Sequence, residues 1–272
     1  MRITPRTGLC GVILHPAGHT LSPAMHNAAY ERMGLDCVYL AFDVIDIKDA
    51  MAGMRSLGIR QFSVSVPHKV EVMKYLDEID PAAKAIGAVN TVINKDGRLI
   101  GYNTDVDGVR LSLTENGVEI KGRKVLLLGA GGAARAIAFV IKEMGGELIV
   151  LNRTPSKAKA LAEEFGGRWG GLREASRIEA DVVVNSTSVG MHPKVDETPI
   201  GKDSLRPGTV VFDIVYNPLK TRLLMEAEEA GCKTINGMNM LVYQGARQVE
   251  LWAGVKPPVE VMKEAFLKGY TG

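Results

Sequence analysis

The residues whose order most directly suggests chemistry lie mid-chain, in Lys124-Val-Leu-Leu-Leu-Gly129-Ala130-Gly131-Gly132-Ala133-Ala134-Arg135. An apolar strand pattern ends in a glycine cluster, and a helical pattern follows at once. Gly129 permits the tight turn, Gly131 lets the backbone approach a pyrophosphate, and Ala134 lets the helix pack closely on a sheet. The first N–H groups of the helix, with its dipole, then attract the anion. The same pattern also serves as a plain strand–helix turn, but a clear strand before it and helix after it favour dinucleotide binding. The next strand pattern ends in Asn152-Arg153-Thr154. An NAD site would place Asp or Glu there for the ribose hydroxyls. Arg153 can instead hold a 2′-phosphate in a bidentate grip and stack on adenine; Thr154 adds a hydroxyl and Lys157 a charge. The expected cofactor is NADP rather than NAD.

Other short motifs carry the substrate side. They are His15-Pro-Ala-Gly-His-Thr20-Leu-Ser22-Pro23-Ala-Met-His26-Asn27, Ser63-Val-Ser65-Val-Pro67-His68-Lys69, Gly87-Ala-Val-Asn90-Thr91 and Gly101-Tyr-Asn-Thr104-Asp105-Val-Asp-Gly108. Further along stand Asn185-Ser-Thr187-Ser-Val-Gly190-Met191, Asp213-Ile-Val215-Tyr216-Asn-Pro218 and Gly237-Met238-Asn-Met240-Leu-Val-Tyr-Gln244. With the Asn152-Arg153-Thr154 segment, this ordered set resembles the shikimate dehydrogenase family over nearly the whole chain. The resemblance implies reversible NADP-dependent reduction of 3-dehydroshikimate to shikimate, in aromatic amino-acid biosynthesis. It implies that Thr20 and Ser22 bind the substrate carboxylate, and that Ser65, Asn90, Asp105 and Gln244 contact ring hydroxyls with Tyr216 nearby. Cofactor contacts are implied at Gly129, Ala130, Gly131, Gly132, Ala133, Asn152, Arg153, Thr154, Lys157, Thr187, Val215 and Gly237.

The resemblance also assigns the proton chemistry to Lys69 and Asp105, which lie too far apart in the chain for spacing to pair them. Reducing a ketone needs a hydride and a proton; a lysine ammonium can supply the proton or stabilise the alkoxide, and a carboxylate can orient it. Taken alone, Lys69 would read as a solvated lysine after a proline, Asp105 as a first-turn helix acid, Ser22 as a helix cap and Asn90 as a turn residue. Three positions depart from the family pattern: Thr20 stands for serine, Ser63 for asparagine and His68 for phenylalanine. His68 reads as either a titrating neighbour of Lys69 or a solvent-facing ring, the second being the simpler. Two other functions fit the same motifs: a quinate/shikimate dehydrogenase of broader specificity, and a non-catalytic NADP(H)-binding redox sensor. Tyr216 and Lys220 have the spacing of a short-chain dehydrogenase pair, but Pro218 between them would break the helix that pair needs.

The elements that must position these residues alternate β-branched runs with helical patterns, as in α/β proteins with parallel units. Strands are expected at Leu9–Leu14, Cys37–Phe42, Phe62–Val66, Thr91–Asn94 and Leu99–Tyr102, the last two as a hairpin around Lys95-Asp96-Gly97. Helices should open at Ser22-Pro23 and stop at Gly34, and run from about Asp46 to Leu57. This is a mixed-sheet substrate domain. A helix over Thr104–Asn116 then leads into strands at Lys124–Leu128, Glu147–Asn152, Asp181–Asn185, Thr209–Asp213 and Lys233–Ile235. Helices near Ala133–Met144, Ser156–Phe165 and Thr221–Ala230 intervene, giving a doubly wound Rossmann-type domain. Two closing helices, Met238–Gly254 and Val259–Lys268, are split by Pro257-Pro258. The domains are therefore 1–103 with 238–272 for substrate and 104–237 for NADP.

Composition excludes several classes. The 272 residues are 46% hydrophobic and 24% charged, with 33 basic against 31 acidic residues and a net charge of +2. No block of one sign suggests nucleic acid or an anionic membrane. No apolar run approaches the roughly 20 residues of a membrane helix, and the N-terminal run is too short for a signal peptide. Cys10, Cys37 and Cys232 form neither a disulfide framework nor a zinc cluster, so a cytoplasmic protein without metal is expected. The expected partners are the small-molecule substrate and, at most, a second copy in a homodimer.

Overall fold

The computed structural model describes residues 3–18 and 20–270, so His19 of the first motif lies outside the described residues. The chain divides into two compact units. One runs up to Asp107 and resumes at Val242; the other is Gly108–Leu241.

The first unit carries β1 (Gly8–Leu14), α1 (Ser22–Met33), β2 (Cys37–Asp43), α2 (Ile47–Ser56), β3 (Gln61–Val64), β4 (Glu78–Ile79), α3 (Pro81–Ile86), β5 (Thr91–Lys95) and β6 (Arg98–Tyr102). Its mixed sheet has the order β2-β1-β3-β5-β6-β4. β1 pairs in parallel with β2 and β3, while β3–β5 and β5–β6 are antiparallel. The period-2 alternation of β1 divides the core: Ile13 joins Phe62, Val64, Met51 and Met54, whereas Cys10 and Val12 join Tyr30 and Tyr39. At the sheet edge the Asn27 carboxamide takes the place of a neighbouring strand, donating to the Tyr39 carbonyl at 2.9 Å and accepting its N–H at 2.8 Å.

Helix ends follow local chemistry in most places. Asp46 lies outside α2 as its cap, accepting from the N–H groups of Lys48 and Asp49 at 2.8 and 3.1 Å. Gly34 ends α1 in the left-handed conformation at φ 68°, and Asp96-Gly97 turn the β5–β6 hairpin at φ 53° and 88°. The expected Ser22 cap is not formed. Leu21 holds the cap position, where its side chain has no acceptor to offer, and Ser22 is the first helical residue. The strand expected to reach Val66 stops at Val64, because Ser65–Lys69 turn away.

α4 (Asp105–Glu115) leads into the second unit, followed by β7 (Lys124–Leu128), α5 (Gly132–Glu143), β8 (Glu147–Asn152), α6 (Pro155–Phe165), β9 (Arg168–Gly171), β10 (Val182–Asn185), β11 (Val210–Asp213), α7 (Arg222–Glu229) and β12 (Lys233–Ile235). These strands form a parallel sheet in the order β12-β11-β10-β7-β8-β9. The central strands are buried on both faces, which is why they read as continuous Val/Leu/Ile runs. The chain then returns to the first unit through α8 (Met238–Ala253) and α9 (Val259–Gly269), where α9 packs on α1 and Val249 of α8 joins Tyr30 and Tyr39. Among the described residues, no helix is long and apolar enough to cross a membrane.

Candidate active site

The charged centre of the first unit is a buried ion pair. Lys69 follows the turn after β3, and its backbone carbonyl accepts the Val89 N–H at 2.8 Å. Asp105 is the first residue of α4, where the Asn103 carboxamide oxygen accepts its N–H at 3.1 Å. Lys69 Nζ donates to Asp105 Oδ2 at 2.5 Å, across 36 positions of chain. The two side chains are 15% and 5% exposed. The first-turn position expected of a dipole-stabilised acid and the buried lysine partner thus coincide in Asp105.

Asn90 organises the surroundings. Its Oδ1 accepts from Thr104 N and Thr91 Oγ1, each at 2.8 Å, which leaves its Nδ2 facing Asp105 Oδ1 at 2.8 Å, Thr104 Oγ1 at 3.0 Å and Gln244 Oε1 at 3.3 Å. Both carboxylate oxygens of Asp105 are therefore engaged, one by an ammonium and one by an amide. Gln244 reaches this cluster from α8. Thr20 and Ser22 form a separate hydroxyl pair at the start of α1, with Thr20 Oγ1 donating to Ser22 Oγ at 3.2 Å and accepting the Ser22 N–H at 3.3 Å. Ser65 is tied by its N–H to the Ile13 carbonyl at 2.9 Å. Of the expected substrate contacts, Tyr216 alone belongs to the second unit, in the loop after β11.

His68 is not solvent-facing. It is 5% exposed, and its Nε2 lies 2.8 Å from the Val44 carbonyl oxygen. The ring turns inward because the Val44 carbonyl, just past the end of β2, gives its Nε2 a partner. Ser63, another departure, is buried in β3 and donates to Gln248 Oε1 at 2.6 Å. Gln248 escaped the sequence reading, although a second glutamine four residues after Gln244 on an apolar helix is a legible signal.

In the second unit, every expected cofactor residue lies along the carboxyl-terminal edge of the sheet, because each ends or follows a parallel strand or opens the helix after it. Gly129–Ala133 follow β7, Asn152 ends β8 with Arg153–Lys157 after it, Thr187 follows β10, Val215 follows β11 and Gly237 follows β12. Gly129 sits at φ 108°, and a Cβ there would lie 2.6 Å from Ser186 Oγ. A Cβ at Gly131 would meet nothing within 4 Å, and Gly131 caps α5 without a side-chain hydrogen bond. This open cradle of N–H groups suits a pyrophosphate. Arg153, Thr154 and Lys157 are exposed, while Asn152 spends its Nδ2 on the Thr154 carbonyl at 3.0 Å. Thr187 folds its loop by giving both its N–H and hydroxyl to Asn185 Oδ1, at 3.0 and 2.7 Å. Gly237 is glycine for packing, since a Cβ would collide with the Ile214 carbonyl. Beneath this edge, buried Asp213 accepts from Asn185, Val215 and Thr221, and burial pushes its carboxyl up to about 6 against the pull of those donors. Among the described residues, no group of three or more His, Cys, Asp or Glu side chains is arranged to hold a metal.

A doubly wound unit with a glycine turn and basic strand end, in one chain with a buried lysine–carboxylate site, defines a nucleotide-dependent dehydrogenase. Family models agree along the chain: a shikimate dehydrogenase substrate binding domain matches residues 12–92, shikimate/quinate 5-dehydrogenase matches 112–215, and a shikimate 5′-dehydrogenase C-terminal domain matches 237–265. Shikimate dehydrogenase (NADP+) of Moorella thermoacetica is 47% identical, covering 96% of this chain and 93% of its own. That of Methanocaldococcus jannaschii is 46% identical, covering 99% of each. The crystal structure of Thermus thermophilus shikimate 5-dehydrogenase in complex with NADP(H) and shikimate superimposes with a TM-score of 0.90 at 40% identity, covering 97% of this chain and 100% of that one. The chain belongs to the shikimate dehydrogenase family.

Proposed function

We propose that this chain catalyses the reversible NADP-dependent reduction of 3-dehydroshikimate to shikimate, with Lys69 and Asp105 handling the proton. The observation that carries the reading is the buried Lys69–Asp105 pair, held by Asn90 beside Gln244. NADPH, when bound, supplies the hydride. Gly129–Ala133, Thr187, Val215 and Gly237 would hold its pyrophosphate and nicotinamide half, and Asn152, Arg153, Thr154 and Lys157 its adenosine end. Lys69 Nζ provides a proton for the oxygen of the reduced carbonyl, and Asp105 holds that ammonium in place through its Oδ2. In the oxidative direction Lys69 takes the proton back.

The substrate carboxylate is read as resting on the Thr20 and Ser22 hydroxyls at a helix start whose cap residue, Leu21, offers no side-chain acceptor. Ser65, Asn90, Asp105, Tyr216 and Gln244 are the expected contacts to its ring. Such a set of buried partners rejects analogues that leave one of them unpaired. The free thiols of Cys10, Cys37 and Cys232 support a cytoplasmic location, and sedimentation velocity decides between a monomer and a homodimer.

The test is NADPH absorbance in purified protein with shikimate and NADP+ at mildly alkaline pH, with quinate, NAD+ and Lys69→Ala in parallel. Turnover of shikimate with NADP+ that is lost in Lys69→Ala is the expected result. Preference for quinate or NAD+ would move the protein to the broader activity. Cofactor binding without turnover of any substrate would leave a redox sensor.

A further inference from the structure

Helix α8 carries a second glutamine one turn beyond Gln244. Gln248 is 1% exposed, and a carboxamide at that depth has to spend its donors and acceptor on fixed partners. Those partners form a one-way chain of hydrogen bonds. Tyr39 Oη gives its single proton to Ser63 Oγ at 2.5 Å, and Gln61 Nε2 also donates to that oxygen at 3.2 Å. The Ser63 proton then goes to Gln248 Oε1 at 2.6 Å. With its oxygen held there, Gln248 turns its nitrogen to Gln244 Oε1 at 2.9 Å and toward the Asn90 carbonyl at 3.4 Å. Gln244 Oε1 consequently accepts twice, from Gln248 and from Asn90 Nδ2. A carboxamide whose oxygen is so engaged meets a ligand through its N–H groups.

We propose that Gln248 is a positioning residue that fixes the sense of the Gln244 carboxamide, so that Gln244 selects a substrate ring hydroxyl able to accept a hydrogen bond. The inference rests on the reading of Gln244 as a substrate contact. Ser63 and Tyr39 act behind it, since their protons set which way Gln248 faces. The departure at Ser63 therefore acquires a role: the hydroxyl orients a glutamine, and the glutamine orients the contact.

Steady-state kinetics on four proteins test this: wild type, Gln248→Met, Tyr39→Phe/Ser63→Ala/Gln248→Met and Gln244→Met, each with a thermal midpoint. Gln248→Met keeps the volume and removes the donor. The KM for shikimate should rise about 10–100-fold, while kcat and the KM for NADP+ stay within about threefold of wild type. Gln248→Met also orphans the Ser63 hydroxyl, so the midpoint should fall. Tyr39→Phe/Ser63→Ala/Gln248→Met removes that hydroxyl together with the Tyr39 hydroxyl that donates to it, and should recover part of the lost midpoint while the KM stays high. Recovery of the KM together with the midpoint would mean a merely structural role and overturn the proposal, as would an unchanged KM in Gln248→Met. The triple variant carries the same test if the single one does not fold. Gln244→Met separates the two levels: if it leaves the KM unchanged, the reading of Gln244 fails; if it raises the KM and Gln248→Met does not, this inference fails alone.

Discussion

Replacing Asp105 by asparagine keeps the shape of the side chain and removes its charge. The carboxylate accepts Lys69 Nζ on one oxygen and Asn90 Nδ2 on the other, at 2.5 and 2.8 Å. Asparagine has only one acceptor oxygen. If it serves Lys69, the new amide faces the Asn90 amide; if it serves Asn90, the new amide faces the ammonium. Asn90 cannot flip to relieve the conflict, because its oxygen already accepts from Thr104 N and Thr91 Oγ1. Removing one partner of a buried ion pair costs about 3–5 kcal/mol. Felt at the transition state, that corresponds to about 10²–10⁴ in rate. In the shikimate and NADP+ assay, Asp105→Asn should therefore lose about 10²–10⁴ in kcat, with the KM for NADP+ within about threefold of wild type. Its thermal midpoint should drop. Lys69→Met/Asp105→Leu, lacking both charges, should regain stability but no activity, because the pair acts as a unit. A kcat for Asp105→Asn within about fivefold of wild type would refute the assignment of proton chemistry to this pair.

Two buried groups, one in each unit, should respond to acid in opposite directions. His26 is wholly buried, stacked on Tyr39 at 4.0 Å, and burial pushes it down from 6.5 to about 3. Its contribution is present above pH 6.5 and is lost as the pH falls, by about 2 kcal/mol at pH 5. Asp213 is raised from 3.8 to about 6, so its contribution is present below pH 3.8 and is lost as the pH rises through 6. Between pH 7 and pH 5, urea denaturation should show wild type losing about 2 kcal/mol relative to His26→Phe and gaining about 1 kcal/mol relative to Asp213→Asn. Either difference with the reverse sign would contradict the stated burial effect. Arg153→Ala should raise the KM for NADP+ about 10–100-fold and leave that for NAD+ within about threefold, since only the former has the 2′-phosphate. Equal effects on both cofactors would point to adenine stacking instead.

The second unit was legible in the sequence because its signals are local. A strand, a glycine turn and a helix follow one another without help from elsewhere, and the bounds of β7, β8 and β12 coincide with those expected. The left-handed glycines that end helices, such as Gly34 and Gly166, work the same way. β4, with two residues, and β9, Arg168–Gly171, were not legible, because such short edge strands exist only through the partner they pair with. α3 was missed too, although Asp80 and Pro81 are a good start signal, because six residues give no period to read.

Within the candidate site, residue types and motif order pointed to the candidates, and tertiary contact decided how they meet. Lys69 and Asp105 come together because the turn after β3 and the start of α4 converge on Asn90, and nothing in the intervening chain encodes that. Ser22 looked like a cap, yet its hydroxyl faces Thr20. His68 looked exposed, yet the fold offers it the Val44 carbonyl. Gln248 was silent until Ser63, Tyr39 and Gln244 surrounded it. A helix end or a glycine turn is a property of a few consecutive residues, whereas the direction of a buried hydrogen bond depends on every donor and acceptor around it.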